Sequence, residues 1–120
     1  MKPFIFEGRV IRGQGIAKTL GFPTANIDVE KPIISLSSGV YAARVIVRGV
    51  SYDAALAILE HPWKVEVHLL DFVENDIYEE HIRVYALEWV SSIQVIDDVE
   101  ALKRKIQEDI EKVKSILGSV

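Results

Sequence analysis

Lys64-Val65-Glu66-Val67-His68-Leu69-Leu70 and Ile82-Arg83-Val84-Tyr85-Ala86-Leu87-Glu88-Trp89 are the two stretches that decide the fold class. Both alternate. Val65, Val67 and Leu69 share one face of the first, against Glu66, His68 and Leu70. In the second, Ile82, Val84, Ala86 and Glu88 oppose Arg83, Tyr85, Leu87 and Trp89. A period of two residues is the signature of a half-buried strand. Outward from this pair, Val40–Val47 is rich in β-branched residues, and Gly49 marks a tight turn before a further strand at Tyr52–Ile58. Phe4, Phe6, Arg9, Val10 and Ile11 make an opening strand interrupted by Gly8. Between Pro23 and Ser38 the chain is irregular for longer than an ordinary connection, so this segment is either functional or holds a short strand near Ala25–Val29. The other turns are short, which favours antiparallel neighbours over βαβ crossovers.

After these strands the period changes. Val99, Leu102, Ile106, Ile110, Val113 and Leu117 recur every three or four residues and form one apolar helical stripe. Asp97 is the expected N-cap, with Glu100 as its capping-box partner, and Gly118 is placed to end the helix. The stripe predicts a helix lying as a cover over an open edge or mouth of the β structure.

At 120 residues, 49% of them hydrophobic and 27% charged, residues 1–120 suit one domain with one core. There is no cysteine, which excludes disulfides, thiol catalysis and thiolate-bound metal. Three dispersed histidines, His61 and His68 among them, do not make a zinc centre. The net charge of −4, with scattered cations, argues against a nucleic-acid partner, although backbone N–H groups can still hold a phosphate. No apolar run reaches the length of a leader or a membrane span, so a cytoplasmic protein without membrane contact is expected.

Gly8-x-Val10-x-x-Gly13, then Leu20-Gly21-Phe22-Pro23-Thr24-Ala25-Asn26, resembles the entry to a riboflavin kinase domain, as found at the carboxyl end of bacterial riboflavin kinase/FAD synthetases. Gly39-Val40-Tyr41-Ala42, Glu66-Val67-His68-Leu69-Leu70-Asp71-Phe72, Asp76-Ile77-Tyr78, and finally Leu102, Ile106 and Asp109 follow in the family's order over nearly the whole chain. The resemblance implies a mostly β fold: a small antiparallel Greek-key-type barrel of about six strands with a C-terminal α-helix. It also implies transfer of the ATP γ-phosphoryl group, with Mg2+, to the 5′-hydroxyl of riboflavin, giving FMN and ADP. There is no room for an adenylyltransferase domain, so the expected product stops at FMN.

By the same resemblance Thr24 and Asn26 serve the metal and phosphates. Glu66 is the catalytic base that orients and deprotonates the attacking hydroxyl. Gly13, Gly15 and Gly21 offer backbone donors to the nucleotide and Lys18 a nearby charge, in a loop that is not a P-loop. In this loop Ala17 stands where the family has a further glycine. Trp63 and Trp89 are candidates for stacking on the flavin. Other departures cluster where a flavin would be recognised. Ala57-Ile58-Leu59 replaces Asn-Ile-Gly, and His61-Pro62-Trp63 replaces Pro-Thr-Phe. Ser91, Ile93 and Ile96 stand where an arginine, a glutamate and a phenylalanine are usual, and Glu79 takes a glycine's place. Two readings follow: a divergent active kinase, or a flavin- or nucleotide-binding module with little turnover and a regulatory or structural role.

Overall fold

A computed structural model describes residues 2–11, 24–71 and 77–118. Among the described residues, six strands, β1 (Phe4–Ile11), β2 (Ala25–Asp28), β3 (Gly39–Val47), β4 (Val50–Glu60), β5 (Trp63–Leu69) and β6 (His81–Ser91), precede the C-terminal helix α1 (Val99–Gly118). The strands close into a barrel in the order β1-β2-β5-β4-β3-β6, with every neighbouring pair antiparallel. β3, β4 and β5 are joined by hairpins, while β6 returns to lie beside β3, which is the Greek-key arrangement.

Two turns set the register of this meander. Val47 pairs with Val50 across Arg48 and Gly49, both at positive φ (50° and 80°), as a type I′ hairpin requires. Glu60 pairs with Trp63 across His61-Pro62, whose peptide bond is cis.

Alternation then sorts the side chains. Val10, Ile27, Val45, Leu56, Ile58, Val65, Val67, Ile82 and Val84 fill the barrel interior, with Trp63 packed against its rim. The Trp63 indole N–H donates to the Val29 carbonyl at 2.8 Å and ties the β4–β5 hairpin to the segment after β2. Gly8 faces this interior, where a Cβ would stand 2.5 Å from the Ile27 Cγ2 atom and 2.9 Å from the Asp28 carbonyl oxygen. Only glycine fits.

The helix does not plug a mouth or guard an open edge, because closure leaves no edge to cover. It lies on the outer wall, where Ile110, Val113 and Leu117 form a second core with Ala42 and Leu70, flanked by Ala55, Leu87 and Val90. The cap is Asp98 rather than Asp97: its carboxylate accepts the Ala101 N–H at 3.0 Å. That one-residue shift takes Glu100 out of the capping-box position. Burial fades toward the N-terminus of α1, where Val99 is 54% exposed.

Candidate active site

Outward-facing residues of the barrel build the site. Glu66 and His68 occupy the outer face of β5, since Val65, Val67 and Leu69 point inward. Ala55, Ala57 and Leu59 do the same on β4. Thr24 immediately precedes β2, and Asn26 lies directly opposite Glu66 in the β2–β5 ladder. Directly paired residues bring their Cβ atoms to within about 5 Å.

Above this floor stands the middle of α1. A cavity of about 190 Å³ opens between the two, lined by Thr24, Glu66 and His68 on one side, Leu59 and Ile93 on another, and Ile106, Asp109 and Ile110 on the helix. Thr24 and Glu66 therefore share one hollow. Asn26 does not line it, but sits beside it as Glu66's cross-strand neighbour, with only 8% of its surface exposed. Burial raises the Glu66 carboxyl above the ordinary carboxylate range, with Lys64 opposing the shift weakly. A carboxylate short of water is a stronger base than one on the open surface.

The tryptophans are placed elsewhere. Trp63 is engaged with Val29 at the barrel end, and Trp89, 53% exposed, lies against Gly39, where a Cβ would come 2.5 Å from the indole nitrogen. Neither lines the cavity that holds Glu66. Gly13, Gly15, Lys18 and Gly21 lie outside the described residues, as does Asp76. Among the described residues no cluster of three or more His, Cys, Asp or Glu could hold a metal ion. The oxygens of Thr24 and Asn26 are still the hard donors that Mg2+ accepts alongside water and substrate phosphates, so the residues present fit that ion and need no cage.

One feature of the site was not foreseen in the sequence. Asp109, 6% exposed, accepts a hydrogen bond from the Ser91 hydroxyl at 2.8 Å and an ion-paired one from the Lys105 ammonium, which also donates to Ser91 Oγ at 3.0 Å. Asp109 stands in the family's helix pattern and Lys105 lies at i, i+4 spacing from it, but neither signal points to Ser91 as their shared partner.

The whole of this architecture has counterparts. The riboflavin kinase family model (Flavokinase) matches residues 1–117. The chain is 33% identical to a bifunctional riboflavin kinase/FMN adenylyltransferase of Pseudomonas fluorescens, over 96% of this chain and 39% of that protein. It is 34% identical to the Buchnera aphidicola protein of the same description, over 99% and 40%. It thus spans about two fifths of the length of these relatives. Among solved structures, riboflavin kinase from Trypanosoma brucei superposes with a TM-score of 0.74 at 26% identity, covering 98% of this chain and 82% of that one. A chain described as a macrolide-efflux protein from Streptococcus pneumoniae gives a TM-score of 0.83 at 27% identity, covering 93% and 38%. Among the described residues of the present chain, no helix is long and apolar enough to cross a membrane. With the family model spanning all but the last three residues and curated relatives a third identical along nearly its full length, the chain belongs to the riboflavin kinase family.

Proposed function

We propose that the chain is a riboflavin kinase, transferring the γ-phosphoryl group of ATP to the riboflavin 5′-hydroxyl to give FMN and ADP. The observation that carries this reading is the shared cavity: Thr24 and a carboxylate raised by burial line one hollow whose remaining walls are mainly aliphatic. An aliphatic slot suits a fused aromatic ring and repels a triphosphate. The ring system of the acceptor therefore belongs between α1 and β4, and the phosphates at the Thr24 end.

In this reading Glu66 accepts a hydrogen bond from the ribityl 5′-hydroxyl and takes its proton as the new O–P bond forms. The bond from the γ-phosphorus to the β–γ bridging oxygen breaks, and that oxygen leaves with ADP. Thr24 and Asn26 would hold Mg2+ beside the phosphates, where it would supply positive charge to the transferred group. Because Asn26 is paired directly with Glu66, the strand ladder fixes the separation of base and phosphate site without help from a loop.

Purified chain given riboflavin, Mg2+ and ATP should release FMN and ADP in equal amounts, resolved by chromatography, and Thr24→Ala and Glu66→Gln should each greatly slow their formation. Binding of riboflavin or nucleotide without product would favour a noncatalytic flavin- or nucleotide-binding module. Binding of neither would defeat both readings.

A further inference from the structure

The partly buried triangle of Ser91, Lys105 and Asp109 stands at the seam between the two walls of the cavity. Ser91 ends β6 and pairs with Val40 of β3; Val40 and Ile93, two residues beyond Ser91, both line the hollow. Lys105 and Asp109 lie one turn apart on α1, and Asp109 lines the hollow from the helix side. The three bonds close on themselves: Ser91 to Asp109, Lys105 to Asp109 and Lys105 to Ser91. On the same helix Ile110 joins the outer core beside Asp109, and Val113 and Leu117 continue it one to two turns further on.

A carboxylate facing an aliphatic slot is costly unless a cation stays beside it. The Lys105 side chain is itself largely buried, at 17% exposure, so its ammonium is committed to this pair and not to solvent. Two of the roughly four lone-pair directions of the Asp109 carboxylate are used by Ser91 and Lys105. The geometry therefore fixes both the spacing of helix and barrel and the orientation of the one acidic group on the helical wall.

We propose that Lys105 is a positioning residue for the acceptor: by holding Asp109 against Ser91 it sets the width and polarity of the slot that receives the flavin ring. This rests on the kinase reading of the same cavity. Lys105 acts through Asp109 and Ser91 on the helix and β6 side of the hollow, whereas Thr24 precedes β2, so its loss should be felt by the acceptor and not by the nucleotide.

The test uses the full chain with Lys105→Met, Lys105→Arg and Ser91→Ala. Riboflavin affinity is read from quenching of its fluorescence, Mg-ADP affinity by calorimetry, and turnover as KM and kcat separately. Lys105→Met should weaken riboflavin binding about tenfold and raise its KM to match, with kcat and ADP affinity changed less than threefold. Lys105→Arg should restore riboflavin affinity to within threefold. If Lys105→Met does not fold, Ser91→Ala, which removes two of the three bonds at little cost in volume, should still weaken riboflavin selectively. Unchanged riboflavin affinity, or equal losses for riboflavin and ADP, overturns the proposal. Amide exchange across residues 102–110 of the unliganded chain separates the two layers. Faster exchange in the variants is expected, and unchanged exchange overturns the clamp whatever binds. Absence of riboflavin binding by the unsubstituted chain would instead overturn the kinase reading, and the acceptor role with it.

Discussion

Val113→Ala should loosen the helical wall of the cavity by a calculable amount. Val113 is fully buried in the outer core that seats α1 on the barrel. Losing two methyl carbons removes about 1.6 kcal/mol of transfer free energy at about 0.8 kcal/mol per carbon. If roughly 50 Å³ stays unfilled, the void adds about 1.2 kcal/mol at about 24 cal/mol per Å³. Alanine's better helix propensity returns about 0.5 kcal/mol. The net loss is about 2.3 kcal/mol. A domain of this length unfolds with an entropy of about 0.25 kcal/mol/K, so the melting temperature should fall by about 9 °C. Val99→Ala is the internal control: it sits on the same helix and the same sequence stripe, but more than half exposed, and should shift the midpoint by less than about 2 °C. Calorimetry on the three proteins at one pH decides the matter. Equal shifts for the two variants, or a drop below about 3 °C for Val113→Ala, would mean that α1 is not seated as described.

Glu66→Gln should fold and slow FMN formation by about 10² to 10⁴, the usual contribution of a positioned base, read in a single-turnover assay. Burial raises the folded-state pKa of Glu66, so as pH rises past the unfolded value near 4.5 the unfolded chain ionises first and this group subtracts stability. The stability advantage of Glu66→Gln over the parent should accordingly grow from pH 4 upward until the raised value is passed; a denaturation series showing no such growth would contradict the burial of this carboxyl. Turnover by the parent should fall on the acid side as the same group takes up its proton. Gly8→Ala should cost at least about 2 kcal/mol, because the new methyl meets Ile27 and the backbone of Asp28 inside a closed barrel. Glu79 has φ of 68° and donates its N–H to the Val10 carbonyl at 2.7 Å, so Glu79→Gly should be more stable than Glu79→Ala by about 1 kcal/mol in urea titrations.

Most of the barrel could be read from the chain because alternation survives wherever one face is buried. Val65, Val67 and Leu69, and likewise Ile82, Val84 and Ala86, point inward as their spacing requires. Glu79 in the left-handed region explains why a glycine is usual there. The placement of α1 was not legible, since an apolar stripe states that a face is buried and not against what. Asp97 and Asp98 are equivalent by composition, and only the Ala101 N–H distinguishes them. At the site, the pairing of Thr24 with Glu66 came from the family resemblance and not from spacing, and the Lys105–Asp109–Ser91 triangle depends on a helix-to-strand approach that spacing along the chain does not encode.

The most direct measurement is transfer of label from γ-³²P ATP to riboflavin by the purified chain, with the position of the phosphate fixed by phosphorus NMR and mass spectrometry. Label should appear in one product, on the ribityl 5′-oxygen, and a riboflavin analogue lacking that hydroxyl should remain unlabelled. Label on another ribityl oxygen, or none in any flavin while ATP and riboflavin are both bound, would contradict a base at Glu66 facing the γ-phosphate.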